Sequence, residues 1–170
     1  MDVARPLGAD CIKDSRGVAI ADFNGDGKLD LVINNNNATP TIYMNNLKNA
    51  GKCIEIKLVG TKSNRDAIGA RVRLSIAGKT MTRQVEAGSG YASEVMLPVH
   101  FGLGDAVRIE SLEITWPDGS AQRFTGGQLD PFVNRTVQIE EGNSHLAEVT
   151  AAQARPRVAA SMGDAKRNPL

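Results

Sequence analysis

Nine residues near the amino end, 22–30, restrict the possible folds of this chain more than any other segment. Their sequence, DFNGDGKLD, places side-chain oxygens at loop positions 1, 3, 5 and 9 and a glycine at position 6. Ca²⁺ takes about six to eight oxygen ligands, and this alternation on a tight turn presents several of them together. The predicted ligands are the side chains of Asp22, Asn24, Asp26 and Asp30 and the backbone carbonyl of Lys28, whose side chain is expected to point to solvent.

The residues around this loop argue against an EF-hand. Position 12 is Ile33, where an EF-hand needs a bidentate glutamate. The flanking runs, 17–21 and 29–33, are short and apolar or alternating, as in strands and not in amphipathic helices. The alternative to a calcium loop is an ordinary Asn-Gly/Asp-Gly hairpin turn without metal. Three carboxylates within nine residues repel one another without a cation, which favours the metal.

The loop and the residues on either side of it resemble a known sequence repeat. Residues 17–35, GVAIADFNGDGKLDLVINN, resemble the FG-GAP/VCBS repeat, one blade of the β-propellers of integrin α-subunits and of many secreted bacterial proteins. Residues 41–46, TIYMNN, resemble the end of such a blade. One blade buries its faces only against neighbours, and the chain contains no second loop of this pattern. We therefore expect residues 1–46 to be the last blade of a truncated propeller, or else an accessory hairpin on the next domain.

The rest of the chain alternates strand-like runs with turn signals. After a polar linker at 47–52 come seven such runs: 53–59, 70–76, 81–86, 94–101, 109–116, 121–124 and 136–139. The turn signals between them include residues 77–79, 102–105 and 117–120. Short strands at this spacing predict an antiparallel β-sandwich or barrel-like domain over residues 53–142. The fold class expected for the whole chain is all-β, with little helix.

Four segments of this second region resemble the ASPIC/UnbV domain in the same order: 59–72, 88–91, 99–104 and 114–119. Residues 92–95, ASEV, depart from the polar stretch expected after Gly-Tyr. A propeller of FG-GAP repeats followed by this domain is the architecture of the cartilage acidic protein-like family. The resemblance implies an exported calcium-binding protein.

Three further residues are weak candidates for ligand contact: Asn64, Tyr91 and Trp116. They would line a groove if the chain were a carbohydrate-binding or carbohydrate-active accessory module. The competing interpretation assigns Asn64 to a structural turn, with Asp66 pairing an arginine or capping amides, and Trp116 to the core. His100 has no metal-ligand spacing to another residue and is expected to be a hydrogen-bonded strand histidine, whereas His145 lies in the tail without a partner.

Composition and motifs exclude several classes of function. Lys and Arg number 20 against 19 Asp and Glu, so the chain carries no electrostatic signature of nucleic-acid binding. No apolar run is long enough for membrane insertion. Neither a G-x-S-x-G nucleophile motif nor a phosphate-binding loop is present, so no catalytic residue is predicted and an enzyme is not expected. The first ten residues do not resemble a signal peptide, so an export signal is expected upstream.

Two features remain open in the sequence. Cys11 and Cys53 are expected to be free thiols, although an oxidising compartment would allow them to pair. The tail, 143–170, is expected to contain a short helix at 146–154 and a disordered end from 155.

The sequence thus predicts an exported calcium-binding recognition or adhesion module, outside the cell, on its surface or in a periplasm. Its partner would be an extracellular protein or a glycan. A purely structural end-piece of a larger propeller protein is the further alternative.

Overall fold

The chain folds as three β-sheets. A computed structural model describes residues 5, 8–91, 93, 98–106 and 108–149. In this part, eleven strands form one three-stranded and two four-stranded sheets. Helix is limited to α1, Gly126–Leu129, and the 3-10 turn Asp130–Phe132. The all-β prediction is confirmed. None of the helices in this part has the length and apolar character that a membrane crossing requires.

The first three strands form an antiparallel meander, the N-terminal sheet. Its strands are β1, Ser15–Ala21, β2, Asp30–Asn35, and β3, Thr41–Tyr43. The acidic loop joins β1 to β2, as predicted. The run Leu31-Val32-Ile33 in β2 places apolar side chains on both faces of the sheet, because successive strand residues point to opposite faces. All three are only half-buried.

The remaining strands form two sheets, which pack face to face as the C-terminal sandwich. The strands are β4 Lys52–Val59, β5 Arg71–Ile76, β6 Lys79–Gln84, β7 Val99–Gly104, β8 Ser111–Thr115, β9 Ala121–Thr125, β10 Thr136–Glu140 and β11 Leu146–Val149. One sheet has the order β11-β10-β4-β7 and the other β6-β5-β8-β9. Within the described residues neither sheet closes into a barrel.

Alternation along the strands builds the core between the two sheets. In β5 the side chains of Val72 and Leu74 are fully buried while those of Arg71 and Arg73 are exposed. β8 follows the same rule. The core also contains Ile54, Ile56, Val99, Phe101, Leu112, Ile114, Phe124, Leu129, Val137 and Ile139, which come from both sheets and from α1. A strand such as β5 or β8 therefore has one face in the core and one outside it.

One strand pair departs from the antiparallel prediction. β4 and β10 are parallel, with Glu55 opposite Thr136 and Leu58 opposite Ile139. The chain reaches β10 from β9, which lies in the other sheet, through α1 and the 3-10 turn. Because no tight hairpin connects β10 to β4, turn geometry does not require antiparallel pairing.

Two predicted turns had different outcomes. The hairpin at 77–79 is confirmed: Ala77 and Gly78 both have positive φ, 49° and 70°, as a two-residue primed turn requires. This tight turn starts β6 at Lys79, earlier than expected. The turn predicted at 102–105 was wrong, because β7 continues to Gly104. Gly102 and Gly104 pair with Cys53 and Lys52 through the backbone, which needs no side chain.

The predicted helix at 146–154 was wrong for the part that can be compared. Leu146–Val149 form β11, an edge strand antiparallel to β10. The sandwich therefore continues past the expected boundary at 142. The apolar Leu146 packs against the core, so tertiary contact overrides the helix propensity of the segment. The rest of that segment, and the end expected to be disordered, 155–170, lie outside the described residues.

Candidate metal centre

The acidic loop is shaped by its own side chains. Gly25 and Gly27 have φ of 79° and 81°, a conformation that glycine adopts without steric cost. Asp22 Oδ1 accepts hydrogen bonds from the backbone amides of Gly25 at 2.7 Å and Asp26 at 3.2 Å. Asp22 Oδ2 accepts one from Gly27 N at 2.7 Å. The first carboxylate therefore lies inside the turn and holds three of its amides.

The side-chain oxygen of Asn24 also binds a backbone amide of this turn. Asn24 Oδ1 accepts from Asp26 N at 3.1 Å, so it and Asp22 Oδ1 converge on one amide. Asn24 Nδ2 donates to Asp26 Oδ2 at 3.1 Å. Three of the predicted ligand side chains, from Asp22, Asn24 and Asp26, are thus gathered around one turn.

The side chain of Lys28 does not point to solvent, contrary to expectation. Its Nζ lies 2.9 Å from Asp26 Oδ2 and 3.5 Å from the carbonyl oxygen of Leu47. The side chain is only 20% exposed. The hydrogen bond from Lys28 holds the pKa of Asp26 below its ordinary value. Electrostatic attraction explains the difference, because the ammonium offsets the charge of the Asp26 carboxylate.

Asp30 has different hydrogen-bond partners from Asp22, Asn24 and Asp26. It is 1% exposed. Its Oδ2 accepts from Phe23 N at 3.0 Å and its Oδ1 from Asn45 N at 2.8 Å. This carboxylate ties the start of the loop to the segment after β3, so it anchors the N-terminal sheet whether or not it binds a cation.

The donor set of the loop fits a hard cation such as Ca²⁺. All its donors are oxygens, and each carboxylate or amide oxygen can accept more than one hydrogen bond or metal contact. Among the described residues, however, no three His, Cys, Asp or Glu side chains are close enough to share one ion. A cation would therefore rely on Asn24 and backbone carbonyls besides the carboxylates of Asp22 and Asp26, and Lys28 would have to leave Asp26.

The loop contacts the C-terminal sandwich through Gly27. His100 Nε2 lies 3.1 Å from the carbonyl oxygen of Gly27. Cys53 Sγ lies 3.1 Å from the position that a Cβ on residue 27 would occupy. The prediction of a hydrogen-bonded strand histidine is confirmed, but its partner, in the acidic loop, was not foreseen. No sequence spacing signals this contact, because residues 27 and 100 meet only through packing of the two regions.

Asn64, one of the weak candidates for ligand contact, has a structural role. Asn64 donates from Nδ2 to the carbonyl of Ile68 and accepts at Oδ1 from its amide, both at 2.8 Å. The amide group therefore closes a turn, as the structural interpretation expected. Among the described residues Asp66 neither pairs with Arg65 or Arg71 nor caps a backbone amide, so both alternatives for that residue were wrong.

The two aromatic candidates lie in opposite environments. Trp116 is 2% exposed and its Nε1 donates to Gln122 Oε1 at 3.0 Å. A ring with so little exposed surface offers no face on which a sugar could stack, so the structure favours the core interpretation of Trp116. Tyr91 is 76% exposed, beside the bridge between Gly90 and Ser93.

Glu141 is a buried carboxylate that no sequence pattern singled out. Its Oε2 accepts from the amides of Thr61, Lys62 and Ser63 at 2.9, 2.8 and 2.7 Å, and its Oε1 accepts from the Ser63 hydroxyl at 2.8 Å. Burial alone raises the pKa of Glu141, but the amides outweigh it and lower the pKa to about 2. A cleft of about 330 Å³ opens beside this carboxylate and is also lined by Trp116 and Arg123.

Comparison with protein families accounts for both halves of the fold. Residues 60–146 match the family model described as ASPIC and UnbV, which covers half of the chain. The chain belongs to the ASPIC and UnbV family. Residues 16–52, which include the acidic loop, match the FG-GAP repeat. Both resemblances drawn from the sequence are confirmed, and the ASPIC/UnbV match extends to the start of β11, beyond the expected boundary.

This ASPIC/UnbV chain is similar to much longer proteins. It is 34% identical over 131 residues to Cartilage acidic protein 1 of Xenopus tropicalis, covering 74% of this chain and 20% of that protein. It is 33% identical over 134 residues to the protein of that name in Mus musculus, covering 76% and 19%, and 34% identical over 134 residues to that of Homo sapiens, covering 76% and 18%. The chain thus spans about a fifth of the length of the curated relatives it matches. The names of these families and relatives describe no enzymatic activity.

Proposed function

We propose that this chain is a calcium-binding module of an exported recognition or adhesion protein, and that it is not catalytic. The observation that carries the calcium assignment is the convergence of Asp22, Asn24 and Asp26 on one turn of the FG-GAP repeat. Oxygen donors of this kind suit Ca²⁺. The ion would be held by these three side chains and by backbone carbonyls such as that of Lys28, and it would offset the repulsion between the Asp22 and Asp26 carboxylates.

Calcium would have a structural role in this loop. Asp22 and Asp30 already hold both ends of the turn through backbone amides. An ion shared by Asp22, Asn24 and Asp26 would add a further link across the turn and replace the Lys28 ammonium as the counterion of Asp26. The ion would therefore stabilise the connection between β1 and β2.

Thermal unfolding in calcium, magnesium and EDTA tests the proposal. A site filled at about a hundred times its dissociation constant adds roughly 2.7 kcal/mol to the free energy of unfolding. Mg²⁺ should add less, because it dehydrates reluctantly and demands octahedral geometry. Asp26→Ala should abolish the calcium effect. Asp118→Ala is the matched control, since Asp118 also caps a turn but lies in the C-terminal sandwich. Equal melting temperatures in calcium and EDTA for the unmodified chain would refute calcium binding.

The surface of the N-terminal sheet supports a propeller. Val18, Leu31 and Ile33 share one face and Ile42 lies on the other, where it is 59% exposed. A sheet with apolar side chains on both faces requires cover on both sides. We infer that neighbouring blades supply it, and that the whole protein is exported, as its similarity to Cartilage acidic protein 1 suggests.

An apolar dye such as ANS tests the exposed faces. The chain should bind the dye, and the double variant Val18→Thr/Ile42→Thr should bind markedly less. Thr80→Val, an apolar change on the outer face of β6, is the converse control and should increase binding. Dye binding that is absent from the unmodified chain, or unaltered in the double variant, would contradict this inference.

The partner that we propose is an extracellular protein or a glycan. The carbohydrate-binding alternative loses its main support because Trp116 is buried. A glycan array with and without EDTA distinguishes the two: calcium-dependent capture of defined sugars would favour a glycan, and its absence favours a protein partner.

A further inference from the structure

The outer face of one sandwich sheet forms a seat for the acidic loop. In β4 and β7 the side chains of Ile54 and Phe101 point into the core, so those of their neighbours Cys53 and His100 point away from it. Cys53 is nevertheless buried. Gly27 lies directly against its sulfur, so the loop covers it. Burial, with the charges of Glu55, Asp22 and Asp26, raises the pKa of Cys53 to about 11.

Gly27 connects the seat to the metal-binding residues. Its amide donates to Asp22 Oδ2 at 2.7 Å, and its carbonyl oxygen lies 3.1 Å from His100 Nε2. A carbonyl oxygen can only accept, so Nε2 must carry the proton. Gly27 stands between Asp26 and Lys28, two predicted ligands. The hydrogen bond from His100 therefore restrains the segment of the loop from which those ligands project.

The seat also explains the requirement for glycine at position 27. A Cβ there would lie 3.1 Å from Cys53 Sγ, and the backbone has a φ of 81°. Both the conformation and the close approach disfavour a side chain at this position. The loop is thus fitted to the sandwich as well as to its own turn geometry.

We propose that the ASPIC/UnbV domain completes the calcium site of the FG-GAP repeat, with His100 as the positioning residue that holds Gly27. This inference rests on the proposed function, because it concerns the same loop. The surface formed by Cys53 and His100 and the calcium ion are then linked. If this surface favours the calcium-bound loop, calcium must strengthen the contact between the N-terminal sheet and the C-terminal sandwich by the same free energy.

Calcium titration of the full chain by calorimetry tests the role of His100. Removing one hydrogen bond, worth about 0.5–1.5 kcal/mol, should weaken calcium binding roughly 2- to 10-fold in His100→Val. His100→Gln can still donate and should keep most of the affinity. His145→Val is the matched control, because the His145 side chain is exposed in the loop before β11, and it should bind calcium like the unmodified chain.

A second measurement separates positioning from a general structural role. Loss of stability alone would lower the melting temperature of His100→Val equally in calcium and EDTA, leaving the calcium-induced increase unchanged. Positioning predicts a smaller increase in His100→Val and a restored one in His100→Gln. In the unmodified chain, the imidazole NMR signals of His100 should also shift when calcium is added, which requires no variant.

The outcomes distinguish the two proposals. Calcium binding by the unmodified chain, with equal affinity in His100→Val or with unshifted imidazole signals, would overturn the role of His100 and leave the calcium site intact. A chain that gives no binding signal would overturn both.

Discussion

The N-terminal sheet and the C-terminal sandwich bury their apolar side chains to very different extents. Among the described residues, seven of the nine exposed large apolar side chains lie between residues 12 and 47. The core cluster, by contrast, draws its members from residues 54–146 alone. Two sheets facing each other enclose a core, whereas one sheet by itself leaves both faces in water. The N-terminal sheet therefore depends on polar contacts at its ends, such as those of Asp30, and on its neighbours.

The two regions also use buried carboxylates in the same way. Asp30 accepts amides from the loop start and from the segment after β3, and Glu141 accepts three amides of the turn after β4. Each satisfies backbone donors that no strand partner reaches. What differs is the surrounding structure: Glu141 borders a full hydrophobic core, and Asp30 supports a sheet without one.

The largest expected effect comes from separating the regions. A fragment of residues 52–149 should fold alone, because it contains both sheets and the core. A fragment of residues 8–47 should not fold, even in calcium, because its apolar faces would remain exposed. Amide NMR spectra of the two fragments check this difference. A dispersed spectrum from the 8–47 fragment would show that the N-terminal sheet is self-sufficient.

A pair of truncations measures the same contrast in free energy. Phe101→Ala should lower the free energy of unfolding by about 3–5 kcal/mol, since it empties a fully buried site in the core. Ile42→Ala in β3 should change it by less than about 0.5 kcal/mol, because its side chain is mostly exposed. Urea denaturation provides both values, and Phe101→Leu is the conservative control. Comparable losses for Phe101→Ala and Ile42→Ala would mean that the N-terminal sheet is as well packed as the sandwich.

The pH dependence of stability should report on Glu141. Its folded pKa of about 2 lies below the ordinary value of 4.5, so the folded state favours the ionised form. The resulting stabilisation is fully present above about pH 4.5 and is lost as the pH falls towards 2. Glu141→Gln should lower the melting temperature at pH 7 by several degrees and weaken the decline in acid. Melting curves from pH 7 to pH 2 check this, with Glu140→Gln as the neighbouring exposed control. Parallel pH profiles for the unmodified chain and Glu141→Gln would contradict the assignment.

The smallest expected effect concerns the two thiols, which are both free in the structure. Hydrogen bonding from Thr41 lowers the pKa of the half-buried Cys11, whereas burial raises that of Cys53 to about 11. Cys11 should therefore react quickly with a thiol reagent in the native protein and Cys53 only after unfolding. The variants Cys11→Ser and Cys53→Ser show which thiol reacts in the native protein and which reacts only after unfolding. Absence of titratable thiols in denaturant, with a monomeric mass, would instead indicate a disulfide.

Local patterns were sufficient to predict much of this fold. Apolar and polar residues alternate along β5 and β8, which is typical of a strand with one buried and one outer face, and the Ala77-Gly78 dipeptide marks a tight hairpin. The acidic loop was predicted to join two strands, as it does. In each case the signal lies within a few residues, because it depends on strand periodicity or on the turn conformation that particular residues permit.

Long-range contacts were not predictable in this way. β11 was expected to be a helix because its residues are compatible with one, and only the open edge of β10 makes it a strand. The parallel pairing of β4 with β10 depends on a crossing between sheets. Trp116 was a candidate for ligand contact, but packing places its ring in the core.

The candidate metal site shows the same division. By itself, the sequence determined which oxygens the loop contains, where its glycines permit a turn, and to which families the chain is similar. Only the tertiary structure decided that Lys28 folds back onto Asp26, that Asp30 is buried as an anchor, and that His100 holds Gly27. The physical reason is distance along the chain: turn conformation depends on neighbouring residues, whereas burial and charge pairing depend on what folding brings beside them.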